Sequence, residues 1–388
     1  MFSDKSIQRV LLIVIPLYFT QGWLFDHGSV VSQVLVGIWL LIDLVYLFRY
    51  FSQRKFDAIG ITIILFWAIN AISWVISPKA VSGYDSEFYS VATYSVFKNI
   101  SVTLLTYFPF RFFFDSPRFA RRYIECFSLL SFISLLILFF TTGQDSIVIS
   151  GSEEVTNNGA YYLASIVPLL GVFFNRKISS VFLAIVMVLV LLGAKRGAIV
   201  CVGIELLLYV YFLFKKSNSH NNPLKILGIL IILSVFVYLI ISTFNSNDYL
   251  QYRYNQTVSG DSSLRNEIYA SALASFSGGN AFELLFGHGM CACISEIGMY
   301  AHQDWLELLV DNGIVGTFLY FIVFICFYNF YRSYRKVMTY EERFIYLSAL
   351  FCFLLRSSFS MGYTSIESSF LIIALVYVQC SVNQRLTK

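Results

Sequence analysis

Apolar residues fill long windows of this chain, and polar residues gather in short breaks between them. A bilayer core takes about 20 apolar residues per helix, and windows of that kind recur at 7–25, 30–51, 56–77, 91–110, 123–142, 160–174, 178–193, 198–214, 224–244, 313–331, 344–359 and 366–380. About twelve spans are therefore expected, all helical because backbone in hydrocarbon must satisfy its own hydrogen bonds. The expected fold class is an all-α polytopic membrane protein, one integral membrane domain over residues 1–388. Its single long polar interruption, 245–312, carries two amphipathic patterns of helical spacing and reads as an outer loop.

Composition agrees with the pattern. The chain is 57% hydrophobic and only 13% charged, with a mean hydropathy of +0.70, far from the mixture of a soluble domain. Lys and Arg flanking short spans are retained on the cytoplasmic side. With the N-terminus inside, alternate loops are basic: Arg49/Arg54, Arg111/Arg121, Arg176/Lys177, Lys215/Lys216, Arg332/Arg343 and Arg385. Both termini are then cytoplasmic, and 245–312 faces outward, the periplasmic side in a bacterial inner membrane. The net charge of +4 is accounted for by loops facing anionic lipid and calls for no nucleic acid. The first window has no small-residue cleavage exit and reads as a retained helix. Five of the seven cysteines fall inside spans, and Cys291 and Cys293 lie in the outer loop, with too few ligands nearby for a metal.

Cations on the outer side work against the retention rule and become the candidates for chemistry. Lys195 and Arg196 sit in the turn Gly193-Ala194-Lys195-Arg196-Gly197. They read either as anchors reaching lipid phosphate or as ligand-facing groups. Arg356 lies near the outer end of a span, where an arginine faces a polar cavity or a partner, and Glu367 is the structural partner to weigh. Arg265 opens a helical pattern after Gly260-Asp261-Ser262-Ser263, a capping sequence, with Leu264, Ile268 and Ala272 sharing one face. Arg253 lies in the same outer segment and joins the candidate anion-binding set. His302 precedes a second pattern, with Trp305, Leu306, Leu309 and Val310 on one side and Asp304, Glu307 and Asp311 on the other. Asn312-Gly313 ends it before the next span. A histidine at a helix N-terminus is favoured neutral. His27, His220 and His288 read as structural or solvated.

Arginine forks suit phosphate and diphosphate, and a neutral imidazole suits deprotonation of a hydroxyl. Together they imply transfer to an alcohol from a diphosphate-bearing lipid. The residues Gly287-x-Gly289 and His302-x-x-Trp305-Leu306-x-x-Leu309-x-x-x-Gly313-x-x-Gly316 resemble the signature of the O-antigen polymerase and O-antigen ligase superfamily. Ala194-Lys195-Arg196-Gly197-Ala198, Ser263-Leu264-Arg265 and, more loosely, Asn157-Asn158-Gly159-Ala160 are similar to further family motifs.

The resemblance implies a metal- and cofactor-independent, inverting glycosyltransferase whose donor is an undecaprenyl-diphosphate-linked oligosaccharide delivered by a flippase. In the polymerase the acceptor is another lipid-linked repeat unit, and a chain-length regulator is a further partner; in the ligase the acceptor is lipid A-core. The resemblance favours the polymerase. It implies His302 as base or orienter of the acceptor hydroxyl and Arg265, Arg196 and Arg356, with Lys195 and Arg253, about the diphosphate. A lipid-linked oligosaccharide flippase is the non-enzyme alternative, against which stands the absence of a matched pair of broken helices in two halves.

Overall fold

The computed structural model describes residues 4–54, 56–77, 86–114, 117–141, 144–149, 152–216 and 265–387, with scattered positions between 234 and 251. In chain order the helices are α1 (Asp4–Tyr18), α2 (Val30–Gln53), α3 (Ala58–Ile76), α4 (Ser86–Leu105), α5 (Tyr107–Phe113), α6 (Pro117–Thr141), α7 (Gly159–Leu170), α8 (Ile178–Leu192) and α9 (Arg196–Lys216). They continue with α10 (Arg265–Gly278), α11 (Ala281–Phe286), α12 (Ala292–Ile297), α13 (Asp304–Tyr334), α14 (Tyr340–Phe359) and α15 (Ser368–Leu386). One antiparallel hairpin, β1 (Gln144–Ile149) and β2 (Ser152–Asn157), joins α6 to α7.

Every expected span except 224–244, which lies almost wholly outside the described residues, falls on a helix. Among the described residues six helices are long and apolar enough to cross a membrane: α2, α3, α6, α9, α13 and α15. The chain is a multi-pass α-helical membrane protein. Outward-facing large apolar residues recur at helical spacing on α2 (Val34, Ile38, Leu41, Val45, Phe48) and α13 (Ile314, Phe318, Phe321, Ile325), the stripe that lipid would cover.

α15 is the central post. Every residue from Phe370 to Val378 is buried, so a helix apolar on all sides is enclosed by protein; it packs against α14, α7, α5, α4 and α6. The expected basic set gathers at one end of the bundle. There Arg49 pairs with Asp4 at 2.6 Å, Arg176 with Glu125 at 2.8 Å, Arg385 with Glu342 at 2.5 Å, and Arg121 with Glu341 and Glu125. Glu342 also completes a capping box with Thr339 at the start of α14.

The opposite end holds α10, α11 and α12, which pack on the first turns of α13. Gly313, at φ 63° and ψ −165°, breaks α13 there, where Asn312-Gly313 is expected to end the helix. Gly287 and Gly313 bring two backbones together: a Cβ on Gly287 would lie 2.3 Å from the Asp311 carbonyl, and one on Gly313 would lie 2.5 Å from that of Leu285. The extended segment from Gly287 then donates from His288 N to Val310 O (2.9 Å) and from Gly289 N to Asp311 O (3.1 Å). These bonds occupy carbonyls that the broken helix would leave open.

Candidate functional site

Two turns and two helix starts meet at the end opposite the arginine network. The first turn links α8 to α9. Ala194 takes φ 51°, and the turn is held from below by Asn157, whose backbone N–H donates to Gly193 O at 3.1 Å. The Asn157 side chain donates to Phe139 O (2.7 Å) and accepts from Gly159 N (2.7 Å). The Asn157-Asn158-Gly159-Ala160 stretch is thus a clamp between the end of α6, the start of α7 and the Lys195/Arg196 turn. Lys195 follows the turn half-buried, and Arg196 opens α9 with an exposed side chain.

Arg265 is the first residue of α10, as the helical pattern requires. Its capping sequence 260–263 and Leu264 lie outside the described residues, as does Arg253. Ile268 and Ala272 do share a face, packed with Val310 and Ala301, which seats α10 on the start of α13.

His302 takes φ 54° just before Gln303, the N-cap of α13. Its backbone N–H donates to Glu307 Oε1 at 3.0 Å, so Glu307 holds the turn that presents the imidazole. The imidazole pKa is lowered from 6.5. The direction is the one expected, with different causes: partial desolvation of an imidazole that stays exposed at the surface, then the positive charges of Arg265 and Lys195. That shift reports a fact of arrangement, because two cations from different elements come within electrostatic reach of one base.

The acidic face of α13 is a buried one. Asp304, Glu307 and Asp311 are 0%, 2% and 5% exposed, so they point into the protein, while on the apolar side Val310 is buried and Trp305, Leu306 and Leu309 are half-buried. The carboxylates are directed inward because they accept hydrogen bonds from loop backbone. Asp304 accepts from Gly362 N (2.8 Å), Tyr363 N (3.0 Å) and the Tyr320 hydroxyl (2.9 Å). Asp311 accepts from Cys291 N (2.9 Å) and Cys293 N (3.3 Å) at the start of α12. Both cysteines are buried, free thiols, pushed up in pKa by burial and by Asp311. Among the described residues no group of three His, Cys, Asp or Glu is placed to hold a metal ion. His288 is a structural residue, with Nδ1 2.7 Å from Glu296 Oε1.

Arg356 is 1% exposed and paired inside the protein. It pairs with Glu367 at 2.6 Å, donates to Ser165 Oγ at 2.7 Å and lies 5.4 Å from the centre of the Tyr161 ring. The structural pairing weighed from the sequence is therefore present, and it ties α14 to α15 and α7. Tyr161 is the residue that the sequence did not single out. Its hydroxyl would lie 2.4 Å from a Cβ at Gly197, and it is in electrostatic range of both Arg356 and Arg265. It bridges the Arg196-Gly197 turn to the buried ion pair, and nothing in the sequence distinguishes it among 26 tyrosines.

No protein-family model matches the chain, and no curated protein matches it. The residues singled out in the sequence, Gly287, Gly313, His302, Arg265 and the Lys195-Arg196 turn, lie together at one end of the bundle.

Proposed function

We propose that this chain is a glycosyltransferase joining undecaprenyl-diphosphate-linked repeat units, an O-antigen or capsular polysaccharide polymerase acting on the outer face of a bacterial inner membrane. One observation carries the reading. Arg265, which opens α10, and Lys195, in the turn before α9, both lie within electrostatic range of His302, a juxtaposition that suits a base beside a diphosphate clamp.

In the proposed reaction the acceptor hydroxyl attacks the anomeric carbon of the donor, from the face opposite the leaving group. The hydroxyl proton passes to the neutral His302 imidazole as the new C–O bond forms. The bond from the anomeric carbon to the diphosphate oxygen breaks with its electron pair, and configuration inverts. Arg265, Arg196 and Lys195 stabilise the departing lipid diphosphate. Arg356 supports this end through Tyr161 and Glu367, and contact with the diphosphate is a role its buried pairing leaves to the other cations.

A glycan gel from a deletion strain complemented with wild type or His302→Ala tests this. General-base assistance is worth roughly 10²–10⁴-fold, so His302→Ala should leave a single repeat unit on lipid A-core, the polymerase outcome. Long chains accumulating on undecaprenyl diphosphate with nothing attached would identify a ligase instead. Unchanged chain length and yield would remove His302 from the mechanism. A flippase would change only the side on which the lipid-linked unit is found, with no covalent product altered.

A further inference from the structure

A cleft opens at the arginine-rich end, far from His302, between the N-terminal turn of α3, the short helix α5, the C-terminal half of α13 and the last turns of α15. It encloses about 280 Å³, and a neighbouring cavity of about 340 Å³ shares Arg111 and Asn383 with it. Its polar lining includes Asp57, Tyr107, Arg111, Asn329, Ser333 and Asn383.

Asp57 caps α3, and its Oδ1 is used twice, accepting from Gly60 N at 2.7 Å and from the Tyr107 hydroxyl at 3.0 Å. Its other oxygen, Oδ2, is buried and accepts no hydrogen bond among the described residues. Among the described residues Arg111 pairs with it loosely: its Nε stands 3.7 Å away, beyond the roughly 2.7–2.9 Å of a charge-assisted hydrogen bond, and its Nη1 donates to Cys380 Sγ at 3.5 Å. The ion pair leaves this oxygen without a close donor on a side chain that is 33% exposed, and a donor entering the cleft would complete its hydrogen bonding. The site therefore holds a loosely paired cation and anion side by side, with one carboxylate oxygen lacking a hydrogen bond among the described residues, and amides at Asn329 and Asn383 around them.

We propose that this cleft binds the phosphoethanolamine headgroup of a membrane lipid. The phosphate lies on Arg111 and the asparagine amides, and the primary ammonium donates to Asp57 Oδ2. Asn329 and Ser333 are exposed at the cleft mouth, and Ile325 and Tyr328 beside them expose apolar surface along which acyl chains would run. A primary ammonium has three N–H donors, whereas a trimethylated one has none. The site should therefore select ethanolamine over choline.

The test is native mass spectrometry of the full-length protein in detergent with equal phosphatidylethanolamine, phosphatidylcholine and phosphatidylglycerol. Wild type should retain the ethanolamine lipid over the choline lipid by roughly tenfold or more, the size of one hydrogen bond to a charged group. Asp57→Asn keeps an acceptor for the α3 cap and should abolish that preference. Arg111→Gln should weaken retention of all three lipids. Ser333→Trp, which plugs the mouth without touching either charge, should do the same while leaving thermal unfolding unchanged, and it serves if Arg111→Gln fails to fold. Displacement by soluble phosphoethanolamine and not by inorganic phosphate supports the zwitterionic recognition. Equal displacement by inorganic phosphate, equal retention of the three lipids by wild type, or a surviving ethanolamine preference in Asp57→Asn would each overturn it.

Discussion

His302 carries the sharpest consequence at the scale of single residues. Its pKa is lowered from 6.5 by partial desolvation of a side chain that stays exposed at the surface and by Arg265 and Lys195, so the neutral base persists to lower pH than an ordinary histidine allows. The acid limb of kcat/KM for glycan transfer should fall below pH 6.5 and vanish in His302→Ala. Removing one cation with Arg265→Gln should move that limb upward, toward 6.5. Arg265→Lys keeps the charge and should leave the limb in place while losing the fork, with a rate loss of roughly 10²–10³-fold. An unmoved limb in Arg265→Gln would mean that the arginine does not act on the imidazole. The fold senses the same shift: the unfolded chain takes up the proton first, so stability should be lost as pH falls below 6.5. His302 and Arg265 were legible in the sequence because each opens a helical pattern. Tyr161 was not, because a bridging role depends on which turns meet in space, and no spacing along the chain encodes that.

At the scale of elements, the start of α13 shows what polarity along the chain leaves open. Hydrophobic spacing correctly placed a helix and its break but left open that its carboxylate face is buried along with Val310. The sequence shows that Asp304 and Asp311 share a face; it does not show that the 362–363 turn and the start of α12 bring backbone N–H donors to them. The glycines beside this helix are more transparent, since close backbone approach leaves no room for a side chain. Gly287→Ala should be strongly destabilising: φ is +80°, and the new Cβ would overlap backbone of Asp311 and Asn312. The conformation alone costs on the order of 1–3 kcal/mol. Gly278→Ala, where nothing lies within 4 Å, is the matched control. Thermal unfolding in detergent should drop for Gly287→Ala and stay near wild type for Gly278→Ala; equal melting of the two would contradict the tight packing of the Gly287 and Gly313 backbones.

Across the whole molecule, charge separates into two ends, and the window count and the length criterion part company for a physical reason. Windows of apolar residues marked where helices form, but α7 and α8 are short, and α7 lies largely inside the protein, where a helix need not match the bilayer thickness. The paired arginines sit at one end and His302, Arg265 and Lys195 at the other, so the retention rule makes a directional prediction. In a variant with exposed Cys126 replaced by Ser, Met299→Cys should react with a membrane-impermeant maleimide added to spheroplasts. Thr387→Cys should react only after permeabilisation. Both positions are solvent-exposed, so access depends on sidedness and not on burial. The opposite labelling pattern would place His302 on the cytoplasmic side, where a flipped lipid-linked donor is absent, and the polymerase reading would fail with it even if the cluster of base and cations were intact.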